Sequence, residues 1–346
     1  MEALKVLVTG ATGYIGGSIV STLLEAKIHE RHHLSVLIRG EERAAVFQSQ
    51  GVHTVLFKGL DDTEVLQRIA SEHDIIIDNA SGYYPSSAKA FILGLNDRKQ
   101  TGGRVHYIRT SGTSNVGDQP ITGEYHEVHT LTDKSNVYAY EKYRDSLHAY
   151  PQRTADLVTV ETGLATGVPT TIVMAPTIYG VGSGNFNKIS IQIPMLTRLA
   201  IKFGQTCMVG EGKGVWDHVH ITDLTALYQL LLLKILAHEE VPTGERGVLF
   251  SGTGRFSWRE LSENIAKALF ELHAIKTDAV QSIVLEVATD RYGLPFPELA
   301  FASNSRTSAD LARELGWKPS KTAQDFSDTF LQEAKLVVAE KGFGLR

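Results

Sequence analysis

The chain has 346 residues, 42% of them hydrophobic and 21% charged, and a net charge of −5. That length and balance fit a soluble globular protein of one large domain or two modest ones, and the negative charge argues against a nucleic-acid or anionic-membrane partner. A single cysteine, Cys207, excludes an intramolecular disulfide framework and a multi-cysteine zinc site; an inert thiol and no metal are expected.

"KVLVTG" (5–10) begins almost at the initiator methionine, which leaves no expectation of a signal segment. It is a continuous apolar strand, as required where helices cover both faces of a sheet. "YIGGSIVSTLLEAK" follows with apolar residues at helical spacing. "LSVLIRG", "VHTVLFKG", "DIIIDNAS" and "RVHYIRTSG" then read as strands two to five. "ERAAVFQSQG", "TEVLQRIASEH" and "AKAFILGLNDRKQTGG" are the helices between them. "PQRTADLVTVETGLATG" and "PTTIVMAPTIYG" supply a further helix and strand. This alternation predicts an α/β fold, a Rossmann-type doubly wound parallel sheet with a smaller mixed C-terminal substrate lobe. The expected dinucleotide-binding domain is 1–180, with 215–250 returning to it; 181–214 and 251–346 form the lobe. The longest apolar run, "LTALYQLLLLKILA" (224–237), is shorter than the about 20 residues a bilayer demands and reads as a buried helix. A cytoplasmic location is expected.

Gly10, Gly13 and Gly16 in "TGATGYIG" lie between the first strand and first helix. The first permits the tight turn, the second lets the backbone approach a pyrophosphate, and the third lets the helix pack close to the sheet. Free N–H groups and the positive helix end then favour the phosphates. At the end of strand two an acidic residue would bind the ribose 2′-hydroxyl of NAD, whereas an arginine accommodates the 2′-phosphate of NADP. Arg39 stands there, with Arg43 nearby. NADP is therefore favoured over NAD; the other reading of Arg39 is a solvated surface residue.

The blocks "TGATGYIGG", "DNAS", "YIRTSG", "APTIYGVGSG", "WDHVHITDL" and "SADLARELGWKPS", in that order, resemble the extended short-chain dehydrogenase/reductase superfamily. Within it the chain is most similar to fungal NAD-dependent epimerase/dehydratase proteins. The resemblance spans about residues 4–320. It implies that Gly10, Thr12, Gly13, Tyr14, Ile15 and Gly16 hold the pyrophosphate. It also implies Arg39 at the adenosine ribose and Leu60 near the adenine. Asn79, Ala80 and Ser81 would line the cofactor, as would Thr110 and Ser111, with Pro176, Thr177 and Ile178 beside the nicotinamide.

The superfamily's Ser or Thr, Tyr and Lys are harder to place. "YAYEK" offers Tyr138 and Lys142, 27 residues after Ser111. Registering "SGTSNVG" on the family block puts Gly112 in the serine slot, with Ser111 and Thr113 on either side. Pro151 interrupts any helix running from Tyr138, so the crossover helix should start near Gln152. Counting back from "GVPTTIVMAP", the tyrosine slot falls near His148 to Tyr150 and the lysine slot near Gln152 to Thr154. Tyr138, Lys142 and Thr113 are thus catalytic candidates, and the competing reading of "YAYEKYRD" is a solvent-facing helical turn.

Sugar-nucleotide enzymes of the superfamily carry an arginine where this chain has Trp216, so Trp216 is expected to wall an apolar substrate site. Tyr83 and Tyr84 follow strand four on the rim where open α/β sheets bind ligands. His218 and His220 share a strand face with Trp216, and packing is expected of them rather than metal ligation. Asp223 is expected to cap the next helix. The expected function is an NADP(H)-dependent oxidoreductase acting on a small, fairly apolar carbonyl or alcohol. The alternatives are a dinucleotide-binding regulator without turnover, or a dehydratase, epimerase or cyclase with another acid/base pair. A homodimer through "AKAFILGLNDRK" and "PQRTADLVTVETGLA" is the expected assembly.

Overall fold

A computed structural model describes residues 3–340. Seven parallel strands form the central sheet: β1 (Lys5–Val8), β2 (His33–Ile38), β3 (His53–Leu56), β4 (Ile75–Asp78), β5 (His106–Gly112), β6 (Thr170–Ala175) and β7 (Val248–Phe250). Their spatial order is β7-β6-β5-β4-β1-β2-β3, which puts the switch point between β1 and β4, where Val6 lies between Leu34 and Ile75. Apolar side chains on both faces of these strands, the edge strand β3 excepted, are buried because helices cover both sides.

α1 (Tyr14–Glu25), α2 (Glu41–Gln48), α3 (Thr63–Ser71) and α4 (Pro85–Gln100) are the first crossovers. α5 (Val137–Leu147) and α6 (Pro151–Thr166) follow β5 as two helices broken at residues 148–150. Proline suits the first position of α6, where no intrahelical N–H is required, and its ring prevents α5 from running on. "YAYEKYRD" therefore belongs to an 11-residue helix that buries one face, with Tyr138, Glu141 and Arg144, and exposes the other, with Lys142 and Tyr143. α7 (Gln192–Phe203) and α8 (Ile221–Leu236) follow β6.

Of the 215–250 segment, α8 packs beside α1, and β7 pairs with Ile172–Met174 of β6. Val215–His220 stays outside the main sheet, between Thr177–Tyr179 and Gly254–Ser257 in a three-stranded sheet. A separate apolar cluster around Trp258, Phe301 and Phe330 forms the core of the second lobe.

Two glycines are required by close approach. A Cβ at Gly94 of α4 would run into the Gln67 carbonyl of α3, so these helices pack backbone to backbone. Gly184, in the connection after β6, lies against Gly17 of α1, which brings residues 180–190 over the first helical turn.

That connection is held by Glu333 on the C-terminal helix Ala323–Ala339. Its carboxylate accepts from the Gly180 N–H at 2.9 Å and the Ser190 hydroxyl at 3.0 Å. Burial pushes its pKa from 4.5 up to about 7, against those hydrogen bonds. The native state thus binds more protons than the unfolded chain between these values. The contribution is fully present below about pH 4.5 and is lost as pH rises through 7. We expect the melting temperature to fall from pH 5 to pH 8 by the equivalent of about 3 kcal/mol. Glu333→Gln should flatten that fall; an identical pH profile in the variant would refute the assignment.

Candidate functional site

The turn after β1 takes its shape from Gly10. Its φ is +65°, and a Cβ there would strike the carbonyl of Asn79 at the end of β4. Gly13 N–H donates to the Gly10 carbonyl at 2.8 Å, and Gly16 packs its α-carbon against the same turn. Thr9 fastens turn and β4 together: its hydroxyl donates to Asp78 at 2.5 Å and accepts from the Asn79 N–H at 2.9 Å. A cleft of about 610 Å³ opens above this junction. Gly10, Thr12, Gly13, Arg39, Leu60, Asn79, Ala80 and Ser81 line it, together with Arg43, Lys58, Asp61, Tyr84 and Asn187. Tyr84 was expected on this rim; Asn187 was not, because only the folded connection after β6 brings it here.

The far end of the cleft is cationic. Arg39, Arg43 and Lys58 are all exposed and line it, and among the described residues none has a carboxylate within ion-pair distance. Glu41 and Glu42, three and four residues past the strand, instead lie in the first turn of α2, where acidic side chains favour the helix end.

Other predicted cofactor residues support the cleft without lining it. Tyr14 is buried and donates through its hydroxyl to the Gly180 carbonyl at 2.6 Å. Ile15 packs against the core. Thr110 pairs with Asn79 and with the buried Tyr228 hydroxyl. Thr177 donates to Gln192 at 2.8 Å, between a buried Pro176 and a half-buried Ile178.

Behind the ends of β4 and β5 lies a buried ionic network. Arg109 of β5 is fully buried and donates to Asp156 of α6 at 3.0 Å and to the Gly82 carbonyl at 2.7 Å; Asp78 of β4 lies 3.6 Å away. The two carboxylates hold the guanidinium above its ordinary pKa despite burial. Asp156 also accepts from Ser111 at 2.5 Å and from Asn115 at 2.7 Å. Burial and the charge of Asp156 push the Glu141 carboxyl well above the usual carboxylate range. Ser111 is consequently turned into this network and away from the cleft. Thr113 is also fully buried, and its hydroxyl has no partner.

The structure does not bring Tyr138 and Lys142 to these strand ends. The Tyr138 hydroxyl donates to Glu161 at 3.1 Å, and Lys142 reaches the same carboxylate at 3.3 Å. Glu161 lies ten residues into α6, so the pair sits about 15 Å along the helix from its first turn. The residues beside Gly112 are different ones. Gln152 packs over the α-carbon of Gly112 and accepts from Ser114 at 2.8 Å; the Tyr150 hydroxyl donates to Ser114 at 3.2 Å and lies 3.4 Å from that of Tyr83. Tyr150 and Gln152 fall inside the slots counted back from β6. Ser114 was missed, because a 3-10 turn over Thr113–Val116 rotates it into place. No lysine stands in the slot: Thr154 bonds to Asp145 and to the Tyr150 carbonyl.

Two further expectations are corrected. Trp216 walls no site; it is 3% exposed, packed on Trp258, with its indole N–H on Ser303. His220, not Asp223, caps α8, accepting from the Thr222 N–H at 3.1 Å. Asp223 instead accepts from the backbone of Ser320 and Lys321 and ties down the chain after "GWKPS". His218 stacks on Phe326 with ring centres 3.9 Å apart, and no cluster of three or more metal-ligating side chains occurs among the described residues. Cys207 is half-buried, and burial pushes its thiol up, against Arg291.

The model of the NAD dependent epimerase/dehydratase family matches residues 6–243. "Oxidase ucsJ" of Acremonium sp is 28% identical over 337 residues, covering 91% of this chain and 92% of that one. An uncharacterised protein of Schizosaccharomyces pombe is 27% identical, over 91% and 95%. Among solved structures, the dTDP-glucose 4,6-dehydratase DesIV from Streptomyces venezuelae, with NAD bound, superposes with a TM-score of 0.65 at 18% identity, over 96% of each chain. Vestitone reductase from alfalfa gives 0.63 at 17%, over 96% and 98%. At these identities the structural matches establish the fold.

The network makes a direct demand on stability. Arg109→Leu leaves Asp78 and Asp156 without their buried counter-charge, and we expect a loss of about 3–5 kcal/mol in urea unfolding. A loss under about 1 kcal/mol would show that the network is not what holds α6 to β4.

Proposed function

The chain belongs to the NAD dependent epimerase/dehydratase family, and we propose that it is an NADP(H)-dependent oxidoreductase acting on a small, largely apolar carbonyl compound or the corresponding alcohol. The observation that carries this reading is the set of three unpaired cations, Arg39, Arg43 and Lys58, at the ribose end of a cleft floored by the glycine turn. A 2′-phosphate is the anion such a trio suits, since charge-assisted bonds to phosphate are the strong ones. The turn fits a dinucleotide because any side chain at Gly10 would destroy it. NADP(H), when bound, supplies or accepts a hydride at its nicotinamide.

The chain's own contribution is to bind, orient and move a proton. Tyr150 Oη–H is the proton donor we assign, delivered to the carbonyl oxygen as the carbonyl carbon gains the hydride. The Tyr150 oxygen left behind has two hydroxyls within reach, Ser114 at 3.2 Å and Tyr83 at 3.4 Å, both able to turn and donate to it. Tyr83 is 51% exposed and connects that oxygen to solvent for reprotonation. The half-exposed rings of Tyr83 and Phe296 flank Tyr150 edge to face, which favours a substrate with apolar surface. Two similar proteins, the oxidase ucsJ and vestitone reductase, are named for redox chemistry.

A second reading is favoured by one feature, the absence of a lysine beside Tyr150: a dinucleotide-binding regulator without turnover. For assembly we propose a homodimer through the outward faces of α4 and α6, where Leu164 is exposed; a monomer in light scattering at micromolar concentration excludes it.

NADPH should bind ten- to a hundredfold more tightly than NADH, as expected for about 1.5–3 kcal/mol of charge-assisted contact. Arg39→Asp should reverse the preference in a fluorescence titration; equal affinities in the parent protein would end the NADP assignment. Tyr150→Phe should lower carbonyl reduction by about 10²–10⁴-fold with NADPH affinity retained, while Tyr138→Phe and Lys142→Ala leave both unchanged. Cofactor binding with no turnover over a broad carbonyl panel would favour the regulator.

A further inference from the structure

A second cavity, of about 280 Å³ and lined in part by Tyr150, lies where the end of α5 meets the start of α6. One wall is apolar: Tyr150 and Phe296, edge to face with ring centres 5.2 Å apart, and Leu299. The opposite wall carries two arginines, Arg144 of α5 and Arg153 of α6, each 2% exposed.

Arg144 is the anomaly. It donates to the Tyr140 hydroxyl at 3.1 Å and to the Gly117 carbonyl at 2.9 Å, and its guanidinium lies 3.7 Å from the centre of the Tyr125 ring. Its Nε has no hydrogen-bond partner, and among the described residues no carboxylate lies within ion-pair distance of it. Buried charges are ordinarily paired, because an uncompensated one is costly. Arg153 donates to the carbonyls of Asn115 and His148, and its nearest carboxylate is Asp145 at 3.8 Å. Burial and the charge of Arg144 hold it below its ordinary pKa. It also occupies the first turn of α6, where the helix end is itself positive and a cation is disfavoured.

The acidic groups around the pair are otherwise engaged. Asp145 accepts from the Tyr150 N–H and faces Thr154. Glu127 accepts from Tyr140 and from His129. Glu141 is turned toward Asp156 and accepts from Asn115 at 2.8 Å. Glu124, 47% exposed, stands on the rim, 3.8 Å from His148. Two guanidiniums and a helix N-terminus converge on one apolar-walled cavity with less negative charge than they call for.

We infer that this cavity binds a carboxylate carried on an apolar, ring-sized body, and that the substrate of the reductase is such a carboxylated carbonyl compound. The statement about the substrate rests on the function proposed above; the binding site does not. Arg144 and Arg153 take the carboxylate, and the Tyr150 and Phe296 rings take the body.

The test uses the full chain with benzoate as probe, titrated by calorimetry without cofactor. Benzoate should bind measurably at millimolar concentration, and benzyl alcohol, the same ring without charge, at least tenfold more weakly. Glu124→Gln removes a rim charge outside the core and should tighten benzoate several-fold. Arg144→Met should weaken it at least tenfold yet unfold at an unchanged or higher temperature, because it removes an uncompensated buried charge. A purely structural arginine predicts the reverse: a lower melting temperature with benzoate affinity retained in the folded protein. Equal or undetectable binding of the two probes by the parent protein overturns the inference, as does indifference to Glu124→Gln. Both of those readings stand even if Arg144→Met fails to fold. NADPH affinity on the same preparations separates the two proposals, since its absence with benzoate binding intact refutes the reductase and leaves the cavity. With both intact, 4-formylbenzoate should be reduced with at least tenfold higher kcat/KM than benzaldehyde; equal values would refute the carboxylate as a substrate feature.

Discussion

The guanidinium of Arg109 is the constraint on which the upper end of the sheet depends. It is sunk between β4, β5 and α6, reaching Asp78, Asp156 and the Gly82 carbonyl in one plane of donors. A planar fork with five donors can serve three elements at once, which an ammonium cannot. Through Asp78 it is connected to Thr9 and so to the glycine turn; through Asp156 it fixes the start of α6, and with it Tyr150 and Gln152. The glycine-turn cleft and Tyr150 are thus referenced to the same buried charge. Such networks give little net stability but tolerate few alternative arrangements, because each partner left alone is expensive.

The cleft is completed from a distance. Residues 180–190 cross above α1 because Gly184 and Gly17 have no side chains to keep them apart, and the crossing is secured by Glu333 from the C-terminal helix. Asn187 enters the cleft by this route. A segment beyond β6 thus contributes to the cleft above the glycine turn.

α5 and the break that ends it shape the second cavity. The end of α5, the break at 148–150 and the first turn of α6 enclose that cavity, lined by Arg144 and Arg153. Where α5 stops, Pro151 begins a new helix with fresh N–H groups, so the positive end of α6 lies at the cavity. The tyrosine at that break gains its neighbours from three separate segments: Tyr83 after β4, Ser114 after β5 and Phe296 from the second lobe.

The sequence by itself determined the sheet and the phosphate turn. Alternating apolar strands and periodic helices admit one parallel layering, and Gly10 tolerates nothing else where its backbone meets Asn79. Arg39 was legible because it directly follows β2, whose end any strand-reading locates. The strand from 215 was misjudged, because an apolar strand does not say which sheet it will join; Trp216 ended in the core for the same reason. The Tyr-x-x-x-Lys spacing of Tyr138 and Lys142 correctly described two side chains one helical turn apart, yet only tertiary packing decided that they face Glu161. Ser114, Asn187 and Arg144 were beyond sequence reasoning altogether. Local spacing fixes which side chains share a face, but a site is made by segments far apart in the chain, and their meeting is settled by packing, by the break at Pro151 and by where buried charges find their partners.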